Sequence, residues 1–147
     1  MDRRLFGAGV AGIAAALISG TAIAQKKYDT GANDKEIKLG NIMPYSGPAS
    51  AYGTIGKAIG AYFDKVNAEG GINGRKIKYI TLDDGYNPAK TLEQARKLVE
   101  EEEVLLLFTT VGTPPNSAIH KYMNQKKVPQ LFVATGASKW GDPKNFP

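Results

Sequence analysis

Hydroxyl groups and glycines, not ionisable side chains, are the chemistry this sequence gathers into short stretches. Tyr45, Ser46, Ser50 and Tyr52 fall within residues 45–53; Thr109, Thr110, Gly112 and Thr113 precede Pro114-Pro115; Thr135 and Ser138 follow. With no base beside them, such groups activate no nucleophile; they hold a polar or anionic small molecule by hydrogen bonds. A carboxylate suits them best where backbone amides stand at helix amino termini, because unpaired N–H groups there carry about half a positive charge. Pro114 and Pro115 have no N–H, so the middle stretch must rely on Gly112 and Thr113 for donors.

Other signals lead away from catalysis. Gly7-Ala8-Gly9-Val10-Ala11-Gly12 has the spacing of a dinucleotide-binding turn but follows no strand. Asp83-Asp84 resembles the acidic pair of a response-regulator receiver, which needs a further aspartate after the third strand. Phe108-Thr109-Thr110-Val111-Gly112 has none, so the pair is expected in a solvated loop or as a helix cap. His120 is the single histidine and there is no cysteine, so neither a His-based triad nor a zinc site assembles, and surface placement is expected for His120. Glu100 to Glu103 reads as a solvated helix end, and Trp140 as a packing residue. Nothing calls for a cofactor or a metal.

The elements that must position these stretches alternate. Residues 37–43 form a short apolar run closed by Pro44, a strand signal. From Ala51 the period becomes helical, with Ile55, Ile59, Tyr62, Phe63 and Val66 on one face. Gly70-Gly71 stops that helix, and Asn73-Gly74 turns the chain into a second strand at 76–82. Asn87 caps and Pro88 opens a second helix with Leu92, Ala95, Leu98 and Val99 inward. The unbroken apolar run at 104–108 suits a strand covered on both faces. A loop at 109–115, a third helix with Ala118, Ile119, Tyr122 and Met123 inward, and a strand at 128–134 complete the order β-α-β-α-β-α-β. Such alternation predicts an α/β fold: a three-layer parallel sheet with helices on both faces. In an open parallel sheet, ligands bind beyond the carboxyl ends of the strands, which is where the hydroxyl-bearing stretches fall.

The first residues are of another kind. Residues 5–24 carry no charge, follow Arg3-Arg4 and end in Ala22-Ile23-Ala24, which fits a signal peptide at 1–24 with the mature chain starting at Gln25. Arg3-Arg4-Leu5-Phe6 also fits a twin-arginine export signal, and the run is long enough for a membrane anchor, although its glycines argue for removal. Without residues 1–24, which hold Asp2, Arg3 and Arg4, the formal net charge falls from +5 to +4. Lysines are mixed with acidic residues and no basic stripe forms, so the charge serves solubility and nucleic acid is not a partner. Residues 25–36 read as a flexible leader, and the chain reaches Pro147 without a closing helix or strand, as a truncated chain would.

Ile37-Lys38-Leu39-Gly40, Tyr45-Ser46-Gly47-Pro48, Tyr52-Gly53, the segment Asn67-Ala68-Glu69-Gly70-Gly71-Ile72-Asn73-Gly74-Arg75 and Asp83-Asp84-Gly85-Tyr86-Asn87-Pro88 together resemble the periplasmic leucine/isoleucine/valine-binding proteins of ABC importers. The resemblance covers residues 37–147. It implies the first lobe of a type I periplasmic-binding clamshell whose second lobe is missing, capturing a branched-chain or other amino acid, or a related small carboxylate, for a membrane permease. It also implies a periplasmic, non-enzymatic protein. By position in the family, Tyr52 would touch ligand, Gly112 and Thr113 would meet its carboxylate, and Ala134, Thr135 and Gly136 would add main-chain and hydroxyl contacts.

Gly112-Thr113-Pro114-Pro115 stands where branched-chain binders often carry a serine-rich stretch, and Gly136 where they have threonine. Binders of aromatic acids, amides or urea on the same scaffold therefore stay open, as does an extracytoplasmic sensor domain. Small-molecule sites bury about 70–90% of their ligand. One lobe leaves a shelf open to water, so these residues alone are expected to bind weakly or not at all.

Overall fold

The computed structural model describes residues 27–146; the expected signal peptide at 1–24 lies outside the described residues. Four parallel strands form one sheet in the order β2-β1-β3-β4, with β1 at Glu36–Met43, β2 at Lys76–Asp83, β3 at Leu106–Phe108 and β4 at Gln130–Leu131. Three helices connect them: α1 at Gly53–Ala68, α2 at Pro88–Arg96 and α3 at Thr113–Lys126. β1 and β2 pair over their whole length, from Glu36 with Lys76 to Met43 with Asp83.

Alternation along the strands sends side chains to two different helix layers. Ile42 of β1 and Leu107 of β3 meet Ala95 of α2 and Ile119 and Met123 of α3 in a core that also buries Leu98 and Val104. On the opposite face, Phe63 of α1 packs edge-on against Tyr79 (5.4 Å between centroids) and Phe108 (5.5 Å). Helices thus cover both faces, as the alternation of elements predicts. Each fully buried aliphatic side chain in such a layer contributes about 1.5–3 kcal/mol.

Boundaries differ from expectation where backbone chemistry overrides hydropathy. α3 begins at Thr113, earlier than expected, because prolines are tolerated in a first helical turn whose N–H groups have no intrahelical partner. β4 is confined to Gln130–Leu131 because Phe132 takes a left-handed φ of 55°. In α1, Tyr62 is exposed and Phe63 is buried together with Gly53 and Gly56. The inward face of α1 runs through those glycines, which a hydrophobic periodicity does not register. Asn87 caps α2 as expected, accepting from the Ala89 and Lys90 amides.

Residues 27–35, the described part of the leader expected at 25–36 that precedes β1, fold back on that strand: Ala32 bridges Ile37, and the Lys38 amide donates to Gly31 O at 2.7 Å.

Candidate ligand-binding site

Strand order reverses at β1, which has β2 on one side and β3 and β4 on the other. Crevices in open parallel sheets lie at such a reversal, outside the carboxyl ends of the strands. Here the two strands beyond the reversal break in step. Thr109 after β3 and Phe132 after β4 both take left-handed φ values, 56° and 55°, and pairing resumes as an isolated bridge between Val111 and Ala134. The Ala134 amide donates to Thr110 O (3.1 Å) and the Gly112 amide to Ala134 O (2.9 Å). This rejoining sets residues 112–113 beside residues 134–136.

All six residues expected from the sequence, Tyr52, Gly112, Thr113, Ala134, Thr135 and Gly136, border one hollow of about 330 Å³, joined by Ile55, Tyr86 and Val111. Tyr52 stands in the short 3-10 turn Ser50–Tyr52 that opens α1, with more than half its surface exposed. Gly112 precedes α3 with a φ of 102°, a conformation side chains rarely adopt. The donors of the α3 amino terminus can be followed one by one. Gly112 N–H goes to Ala134 O, the prolines have none, and Asn116 N–H goes to Gly112 O. Thr113 N–H is the first-turn amide left for a ligand.

The Thr113 and Thr135 hydroxyls bond to one another at 2.5 Å, and Thr135 Oγ1 also accepts from the Ala137 amide at 3.3 Å. One hydroxyl proton lies between the two threonines, and the other remains to donate into the hollow. No lining residue carries a carboxylate, ammonium, guanidinium or imidazole. One amide and one hydroxyl proton on a wall without charged side chains can receive a carboxylate.

Beneath this wall, Asn116 is completely buried and donates both amide protons, to Thr110 O (3.0 Å) and Gly112 O (2.7 Å), while accepting from Gln130. Such a satisfied buried amide holds the 110–112 loop to α3.

The loop at 45–53 contributes less to the hollow than its hydroxyls suggest. Tyr45 Oη bonds to Thr81 Oγ1 at 2.6 Å, and Ser46 Oγ donates to Asp83 at 2.6 Å. Asp83 also accepts the Tyr45, Ser46 and Gly85 amides and the Lys90 ammonium. Burial alone would raise the Asp83 carboxyl pKa, but the bonds from Ser46, Lys90 and Gly85 outweigh it and hold the pKa well below the usual carboxylate range. Asp84, expected in a solvated loop or as a cap, is fully buried and accepts from the Tyr86 amide and the Thr91 hydroxyl. The acidic pair is therefore a clamp that joins the ends of β1 and β2 to α2.

Sequence reasoning missed three lining residues, Ile55, Tyr86 and Val111, of which Tyr86 is the aromatic one. It reaches the hollow through a left-handed φ of 62°, for which the local sequence gives no signal beyond the preceding Asp-Gly turn. Trp140 packs against Phe146 (5.3 Å) and His120 (5.8 Å), away from the hollow; His120 stays partly exposed beside these rings. A larger hollow of about 570 Å³ opens between Val104, Leu106, Lys127 and Pro129, at the amino ends of the strands, the wrong edge for a ligand in this fold.

Residues 36–147 match the sequence profile of the family described as periplasmic binding protein. A Leu/Ile/Val-binding protein homolog 7 of Brucella suis biovar 1 is 29% identical over 129 residues, which cover 87% of this chain and 30% of that relative. The crystal structure of a possible leucine/isoleucine/valine-binding protein from Rhodopirellula baltica SH 1 superposes with a TM-score of 0.70 and 34% identity, covering 76% of this chain and 31% of that one. A solute binding protein of an ABC transporter from Rhodopseudomonas palustris BisB5, solved with 3,4-dihydroxy benzoic acid, gives a TM-score of 0.67 and 29% identity, covering 78% and 31%. The chain thus spans 30–31% of the length of these relatives.

Proposed function

We infer solute capture from one premise: this chain belongs to the periplasmic binding protein family. Residues 37–147 act as the first lobe of a clamshell, and a second lobe closes over the hollow to complete the cleft. The ligand is an amino acid, branched-chain or other, or a related small carboxylate, delivered to the permease of an ABC importer from the periplasm. No bond in the ligand is made or broken. The observation that carries this reading is the meeting of the free Thr113 amide with the Thr113–Thr135 hydroxyl pair at the carboxyl edge of the sheet, on a wall without charged side chains.

Tyr52 and Tyr86 favour a second reading of the ligand body. Two phenol rings border the hollow together with Ile55 and Val111, an apolar surface that suits a planar aromatic carboxylate as well as a branched aliphatic one. The relative solved with 3,4-dihydroxy benzoic acid supports this version.

Mass spectrometry of the ligand that co-purifies with the complete two-lobed protein tests the proposal. A small carboxylate, aliphatic or aromatic, is expected; a ligand without an anionic group overturns the assignment of the Thr113 wall. Calorimetry of the 147-residue chain alone should show no micromolar binding of amino acids, because one lobe leaves the ligand exposed to water.

A further inference from the structure

A partly buried polar chain crosses the sheet on the α1 side. Tyr45 Oη meets Thr81 Oγ1 at 2.6 Å, Thr81 Oγ1 donates to Asn41 Oδ1 at 2.7 Å, and Asn41 Nδ2 donates to Phe108 O (2.7 Å) and Thr109 O (2.9 Å). Because the Thr81 proton goes to Asn41, Tyr45 is the donor at the first link, and every member points the same way. Asn41 is fully buried toward the carboxyl end of β1, a position where an aliphatic side chain would satisfy the layer without these constraints.

Both ends of the chain reach a wall of the hollow. At one end, the regular β1–β3 ladder stops at Gly40 with Leu107, and the Asn41 side chain takes over, gripping the carbonyls of Phe108 and of Thr109, where φ turns left-handed. Three residues later the same backbone presents Gly112 and Thr113. At the other end, Tyr45 lies against α1: a β-carbon on Gly56 would stand 2.2 Å from Tyr45 Oη, and one on Gly53 2.9 Å from Tyr45 Cδ1. Tyr52 and Ile55 flank those glycines.

We propose that Tyr45, Thr81 and Asn41 form a strut that sets the spacing between the α1 wall and the Gly112–Thr113 wall, with Asn41 as its positioning residue. The strut exists whether or not solute binds; its effect on affinity rests on the capture function proposed above.

Amide hydrogen exchange on the 147-residue chain tests the strut without a ligand. Thr81→Val keeps the shape of the side chain and removes its hydroxyl. Exchange at the Gly112 and Ala134 amides should rise about tenfold, the scale of one lost hydrogen bond, while Ile80 and Leu82, on either side of the substitution, stay at parent rates. Unchanged exchange at Gly112 and Ala134, or a uniform rise along the sheet, overturns the proposal. Should Thr81→Val not fold, Tyr45→Phe is read the same way and must also shift the amide resonances of Gly53 and Gly56. Titration of L-leucine and 3,4-dihydroxybenzoate into the two-lobed parent and its Thr81→Val variant supplies the affinity arm. A parent that binds and a variant weakened about tenfold are expected. A parent that binds neither probe defeats the capture reading for these classes, and the exchange rates still decide the strut.

Discussion

The ring of Tyr86 lies across the α-carbon of Gly112, so close that a β-carbon there would stand 2.4 Å from Tyr86 Cε2. The Gly112 φ of 102° is strained for any other residue, so two independent costs meet at one position. Gly112→Ala should therefore destabilise the chain by about 3 kcal/mol, from roughly equal parts of backbone strain and overpacking. Urea unfolding with an unchanged slope measures it. A midpoint equal to that of the parent would mean that Tyr86 and the loop separate freely, and that the aromatic wall is not fixed.

Thr113→Val should leave stability within about 1 kcal/mol, because the lost hydroxyl faces the hollow and its partner Thr135 can turn to water. Affinity in the two-lobed protein should fall tenfold to a hundredfold, which is about 1.5–3 kcal/mol for a hydrogen bond to a charged group. Calorimetry with the co-purifying carboxylate reads the change, and Thr113→Ser should restore most of it. Equal affinity for the valine variant would remove Thr113 from the site.

The rim of the hollow was legible in the sequence because topology does much of the placing. Once alternation implies a parallel sheet, residues after each strand must meet at one edge, and Tyr52, Gly112, Thr113 and Thr135 do so. Hydroxyl direction was not legible, since residue type does not show whether Tyr45 and Ser46 face a ligand or a buried partner. They turn inward, to Thr81 and Asp83. Left-handed backbone at Tyr86, Thr109 and Phe132 was equally hidden, because none is a glycine, the residue type that marks such a conformation in a sequence. Those three residues shorten β4, bring Tyr86 to the hollow and aim the 110–113 loop.

Asp83 makes stability depend on pH in a defined direction. Its folded pKa is depressed by the Ser46, Lys90 and Gly85 bonds, so its contribution is present above the ordinary carboxylate pKa and fades as pH falls below it. Asp83→Asn should cost about 1 kcal/mol at pH 7, a modest figure because the side chain is 29% exposed. The gap between parent and variant should narrow steadily below about pH 4. Thermal melts of both proteins across that range check it; a gap that widens with acid would reverse the assignment.

Two glycines of α1 should respond to alanine in opposite senses. In a helix interior, glycine to alanine gains about 1 kcal/mol of propensity. At Gly60 nothing opposes that gain: the nearest atom to a new β-carbon is Tyr79 Cδ1 at 3.7 Å, an ordinary contact, so Gly60→Ala should stabilise. At Gly56 the new carbon would sit 2.2 Å from Tyr45 Oη and 3.1 Å from Met43 Cγ, and Tyr45 is tied to Thr81. Overpacking of that kind costs about 1–3 kcal/mol, enough to outweigh the propensity, so Gly56→Ala should destabilise. Tyr45→Phe removes the atom in closest conflict, and the double variant should recover part of the loss, leaving the ring Cζ contact at 3.0 Å and the Met43 contact as the remainder. Melting temperatures of the four proteins form a double-mutant cycle. Additive effects would show that α1 can lift away from Tyr45, and that the Tyr52 wall is not held by it.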